Sequence, residues 1–215
     1  MVLDNLIDII KCEYKAGEPI FLKNIDMPGY SNDELCNALQ KLCTLGKLQL
    51  FEPGVYYWTE KNFLGNLIGL DVESYICGKY IKDKNRVFGF YGGLNLENLI
   101  GISTQIPFID TIVSNLAVQG KQMITVTDKI SIWLCPAAVS VRIDEDNLQL
   151  HRAVEIFRTR SQVDLNPMER ENLNKFLQGN YLTFDAIKDF AEKYPTQETP
   201  TLMRNIRAYR QRFGS

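Results

Sequence analysis

Between Ser31 and Trp58 the chain changes periodicity abruptly, and that change limits what can form around it. Ser31-Asn-Asp-Glu34 reads as a capping box: the serine oxygen accepts an orphan amide, and the Glu34 carboxylate returns to the cap amide. From there Leu35, Ala38, Leu39, Leu42, Cys43 and Leu45 fall on one broad side of a helical wheel, and Asp33, Asn37, Gln40, Lys41 and Thr44 fall on the other. The pattern predicts a helix from Ser31 to Leu45, stopped by Gly46. Lys47–Phe51 and Val55–Trp58 then flank the turn Glu52-Pro53-Gly54, which predicts a hairpin of two short strands.

Upstream, Leu3, Leu6, Ile7 and Ile10 give the i, i+3, i+4, i+7 stripe of an amphipathic helix. A short extended piece, Pro19–Leu22, follows the break at Gly17. Helix, small element, capped helix and hairpin is the order of a winged helix-turn-helix domain, placed at residues 1–60. On the second wing strand Tyr57 shares a face with Val55 and is expected to pack inward.

Residues 61–215 read as a small mixed α/β domain with a helical C-terminal part, so the whole is of the α+β class. A helix is expected near Asp71–Lys82 and a short one around Leu94–Leu99. Pro107–Asn115, Gln122–Thr127 and Lys129–Cys135 are rich in Ile, Val, Thr and Trp and read as strands. From Leu148 onward the pattern is helical, with caps at Asn166, followed by Pro167, and at Thr183. Tyr194–Pro200 is the one linker-like stretch.

The 215 residues carry a formal net charge of -2. Counted by segment, residues 1–60 hold 5 Lys+Arg against 9 Asp+Glu, a balance of -4, and residues 61–150 hold 8 against 9. Residues 151–215 hold 11 against 8, a balance of +3. An acidic front and a basic tail point to different tasks for the two ends. In the predicted terminal helix, Leu202, Ile206, Tyr209 and Phe213 fall within an arc of about 60°, while Arg204, Arg207, Arg210 and Arg212 fan across the other side with no acidic residue after Glu198. Such a face suits phosphate through bidentate forks, or an acidic protein partner.

The first residues carry aspartates where a signal peptide needs basic ones, and no apolar run is long enough to span a bilayer, so a soluble, cytoplasmic protein without membrane contact is expected. The five cysteines never form CxxC, and His151 has no neighbouring ligand pattern. Gly89-Phe-Tyr-Gly-Gly93 lacks the spacing of a dinucleotide loop and the lysine of a P-loop, and Asp144-Glu-Asp146 reads as a surface loop. The expectation is a chain that is not an enzyme and takes no cofactor or metal.

Asn and Gln suit adenine edges and Thr suits the thymine methyl, so Asn37, Gln40, Lys41 and Thr44 form a face able to read a major groove. Lys23, Lys47 and Lys61 near the ends of these elements, and Arg204, Arg207 and Arg210 on the terminal helix, are the candidates for backbone phosphates. The competing reading is a protein-interaction adaptor whose winged helix never touches DNA, because Asp33 and Glu34 offset Lys41 on the reading helix.

The run Ala38–Leu48 followed by Gly54-Val-Tyr-Tyr57 resembles the helix, Gly-Lys, wing and Gly-x-Tyr-Tyr pattern of bacterial abortive-infection antitoxins of the AbiEi kind. Val87–Leu94 and Gly101–Pro107 resemble a second-domain motif of their relatives. The resemblance implies a winged-helix transcriptional autorepressor that binds inverted repeats in double-stranded DNA of its own promoter. It also implies a second domain that counteracts a nucleotidyltransferase-like toxin, directly or indirectly, as part of a toxin-antitoxin system.

Overall fold

The computed structural model describes residues 2–27, 29–160 and 165–213. The protein is of mixed α+β type, and the described residues form eight α-helices and two sheets. The chain gathers into two compact units, Met1–Lys79 and Tyr80–Ser215.

The division lies beyond residue 60 for a local reason. Gly17, at φ +82°, is approached so closely by the Gly69 carbonyl that a Cβ there would sit 2.5 Å from its oxygen. The Asp71 amide donates to the Gly17 carbonyl at 2.7 Å, and the Ile68 amide to that of Glu60 at 2.9 Å. Residues 61–71 therefore fold back on the turn after the first helix and belong with it.

In the first unit α1 (Val2–Glu13) leads through β1 (Ile20–Phe21) and a 3-10 turn (Leu22–Asn24) to α2 (Asn32–Thr44). The hairpin β2 (Gln49–Glu52) and β3 (Val55–Tyr57) follows, and then α3 (Val72–Ile76), which runs on as a π turn over Cys77–Ile81. The sheet is antiparallel in the order β1-β3-β2, with Ile20 and Leu50 both opposite Tyr56. Leu6, Ile7 and Ile10 of α1 pack with Leu39 and Leu42 of α2, Leu48 and Tyr56 in one cluster. The side chain of Leu3 lies outside the described residues. Each fully buried leucine contributes about 1.5–3 kcal/mol, so this seam holds α2 against the sheet.

The tyrosines alternate as expected along β3, but the one packed into the core is Tyr56 and not Tyr57. Tyr56 is 2% exposed and sits in the core, whereas Tyr57 is half-buried. Both faces of the sheet are covered: Tyr56 faces the α1–α2 core, while on the other face Tyr75 of α3 stacks on Phe21 at 6.2 Å and meets Phe51 edge-on at 4.8 Å. Leu45, expected on the buried side of α2, is its C-cap residue and is 61% exposed.

The second unit holds β4 (Gly89–Tyr91), α4 (Gly93–Leu99), β5 (Asp110–Ser114), β6 (Gln122–Thr125) and β7 (Ser131–Cys135). Its sheet has the order β4-β5-β7-β6; only the central β5–β7 pair is parallel, with Ile112 opposite Leu134. The glycine run serves this sheet: a Cβ on Gly89 would lie 2.3 Å from the Tyr80 carbonyl, and one on Gly92 would lie 2.6 Å from a Val113 methyl.

Helices α5 (Leu148–Thr159), α6 (Pro167–Gly179), α7 (Phe184–Lys193) and α8 (Thr199–Phe213) complete the unit. Phe157 of α5 is central, meeting Tyr209 at 5.0 Å and Phe184 at 5.8 Å. Asn166 and Thr183 cap α6 and α7 through their side chains, as their residue types predict. Tyr194–Pro200 is no linker: the Ser140 amide donates to the Tyr194 carbonyl, the Thr196 hydroxyl donates to the Ala138 carbonyl, and α8 begins at Thr199.

Candidate nucleic-acid interface

α2 is built for a fixed start. The Ser31 hydroxyl oxygen accepts the Glu34 amide at 3.3 Å, and a Glu34 carboxylate oxygen accepts both the Ser31 amide and its hydroxyl at 2.8 Å. Those bonds hold the Glu34 carboxyl below the usual carboxylate range. Leu35, Leu39 and Leu42 turn inward and leave Asn37, Gln40, Lys41 and Thr44 together on one exposed face.

Two members of that face are already oriented. The Thr44 hydroxyl donates to the Gln40 carbonyl at 3.1 Å, which fixes the side chain and uses its one donor. The Gln40 amide nitrogen lies 3.8 Å from Cys36 Sγ. Behind them, burial pushes the Tyr56 hydroxyl up to about 12, helped by its contact with Cys36, and burial likewise raises the Cys43 thiol.

The lysines occupy the margins of the same unit. Lys47 is exposed just after α2, and Lys23 is exposed on the 3-10 turn with its ammonium 5.4 Å from the centre of the Phe21 ring. Lys61 is exposed and bridges to Leu67 across a tight hairpin. The Asn62 side chain fixes that hairpin by accepting the Leu64 and Asn66 amides, and Phe63 stands 95% exposed at its tip.

The arginines are placed elsewhere, on α8 in the second unit. Leu202, Ile206 and Tyr209 are buried and Arg204, Arg207 and Arg210 are exposed; the side chain of Phe213 lies outside the described residues. The face is not free of carboxylates: Asp185 of α7 takes both ends of the Arg210 guanidinium, at 2.5 and 3.2 Å. Arg210 therefore meets an exposed carboxylate, which no spacing along α8 reveals because Asp185 arrives from another helix. Arg204 and Arg207 make no ion pair among the described residues.

Other features singled out by type have structural duties. Asp144 accepts the Asn147 amide in a local turn, and Glu145 accepts the Val87 amide. His151 is 2% exposed and lies edge-on to Phe190 at 5.3 Å. Among the described residues no group of three or more His, Cys, Asp or Glu side chains could hold a metal ion. A cavity of about 810 Å³ opens beside Trp58, lined by Lys11, Cys12, Lys15, Glu60 and Asp71 in a mixture of both charge signs. Its residues come from separate parts of the unit, and no pattern along the chain announces it.

No protein-family model matches the chain, and no curated protein matches it significantly. None of the helices is long and apolar enough among the described residues to cross a membrane.

Proposed function

We propose that the first unit is a winged helix-turn-helix domain in which α2 lies in a major groove and the β2–β3 hairpin is its wing. The observation that carries this reading is the joint exposure of Asn37, Gln40, Lys41 and Thr44 on a helix that Leu35, Leu39 and Leu42 anchor to an antiparallel β1-β3-β2 sheet. Asn37 and Gln40 take base edges, the Thr44 methyl meets thymine, and Lys41, Lys47 and Lys23 lie against phosphates. On this reading the chain is a DNA-binding autorepressor, and its second unit serves an antitoxin role against a nucleotidyltransferase-like toxin. Fluorescence anisotropy with duplex from upstream of its own gene tests the DNA claim. The expected result is tighter binding than to scrambled duplex, with affinity falling steeply as salt rises. Co-expression with a neighbouring toxin gene tests the second claim through rescue of growth.

A second reading is favoured by the 61–67 hairpin, where Phe63, Leu64 and Leu67 are 95%, 69% and 67% exposed on an ordered turn. Apolar side chains presented this way suit a protein partner, and an adaptor would use them without DNA. Such a chain shows no salt-sensitive duplex binding.

A further inference from the structure

The β2–β3 hairpin and its margins, residues 47–58, contain a single carboxylate, Glu52, next to the Pro53-Gly54 turn. A bare negative charge at that tip would repel a phosphate backbone. Lys79 meets it from 27 positions along the chain: its ammonium lies 2.7 Å from each Glu52 oxygen and 2.7 Å from the Tyr75 hydroxyl. Those three contacts match the three donors of a lysine ammonium.

The approach is prepared by the surrounding residues. Tyr75, one helical turn before Lys79, has its ring locked between Phe21 and Phe51. Gly78 lies so close to Phe21 that a Cβ would stand 2.4 Å from the ring, so the absent side chain lets this segment rest on the sheet. The π turn over Cys77–Ile81 carries Lys79 there.

We infer that Lys79 is a positioning residue of the proposed DNA interface, cancelling the hairpin's one carboxylate and tying the hairpin tip to α3. This rests on the reading of the hairpin as a wing. With its ammonium against the Glu52 carboxylate and the Tyr75 hydroxyl, Lys79 acts through Glu52 and not by touching phosphate.

The test uses the full chain, with hydrogen exchange at the amides of residues 49–57 and anisotropy with its own upstream duplex. Lys79→Met should speed exchange in the hairpin about fivefold, the equivalent of about 1 kcal/mol for a partly exposed ion pair, and weaken binding about tenfold at low salt. Lys79→Arg, which keeps the charge, should preserve both. The double variant Glu52→Gln/Lys79→Met should recover binding to within about twofold of wild type while exchange stays fast, because the tip is neutral again. Unchanged exchange in Lys79→Met overturns the tie, and a double variant as weak as Lys79→Met overturns the action through Glu52. Wild-type chain that binds no duplex overturns the wing reading, and with it this role, before any variant is compared.

Discussion

The two units use charge in opposite ways. The first, residues 1–79, holds 7 Lys+Arg against 11 Asp+Glu, yet it spends carboxylates on surface fixtures: Glu34 and Asp71 cap helices and Glu52 meets Lys79. The second, residues 80–215, holds 17 against 15 and takes charges inside. Glu155 is 1% exposed and accepts the Arg158 guanidinium in two bonds of 2.6 and 2.7 Å; Glu97, 5% exposed, meets Arg160 at 3.0 Å. The surplus of +3 over residues 151–215 is therefore not all open charge, since Arg158 and Arg160 pair with buried carboxylates and Arg210 meets Asp185 at the surface. The acidic unit is the one that exposes Asn37, Gln40, Lys41 and Thr44 together on one helix face.

This contrast breaks first at the buried pairs. Arg158→Met strands Glu155 without its guanidinium and should cost the second unit about 3 kcal/mol or more, read by denaturant unfolding through Trp133 in a Trp58→Phe background. The first unit, followed through Trp58 in a Trp133→Phe background, should unfold at an unchanged midpoint. Equal losses in both would erase the distinction.

The second unit should also respond to acid through His151. Burial lowers its pKa to about 4, against the opposing pull of the Arg142 carbonyl and Asp144. An unfolded imidazole titrates near 6.5, so the contribution is complete above about pH 6.5 and is lost as pH falls toward 4, by about 3 kcal/mol. His151→Leu should flatten that slope, and an unchanged slope assigns the acid response to other groups. The smallest effect belongs to the first unit: Ser31→Ala removes the capping oxygen and should cost about 1 kcal/mol, with the second unit untouched.

What the chain discloses in advance is local. Ser31-Asn-Asp-Glu34, Asn166-Pro167 and Thr183 place three helix starts because a cap bonds only to amides a few residues away. The hairpin around Pro53-Gly54 is legible for the same reason, as Gly54 supplies φ +83°. The exposed polar face of α2 follows from helical periodicity alone. Contacts between distant segments stay hidden: the parallel β5–β7 pairing, the reach of Asp185 to Arg210, and that of Lys79 to Glu52 each join residues that no short spacing links. Tyr56, not Tyr57, is the fully packed tyrosine because its face of β3 is the one that meets the leucines of α1 and α2, a contact between distant segments that alternation along β3 does not reveal.

The central claim is that the exposed face of α2 reads DNA, and its most direct test is anisotropy of wild type and Asn37→Ala/Gln40→Ala on cognate and scrambled duplexes across a salt series. The account predicts that wild type prefers its own upstream sequence. It further predicts that the double variant loses that preference by about tenfold or more while keeping the same salt slope, since base contacts specify and phosphate contacts do not. A wild-type chain without preference, or a variant that retains it in full, would contradict the account.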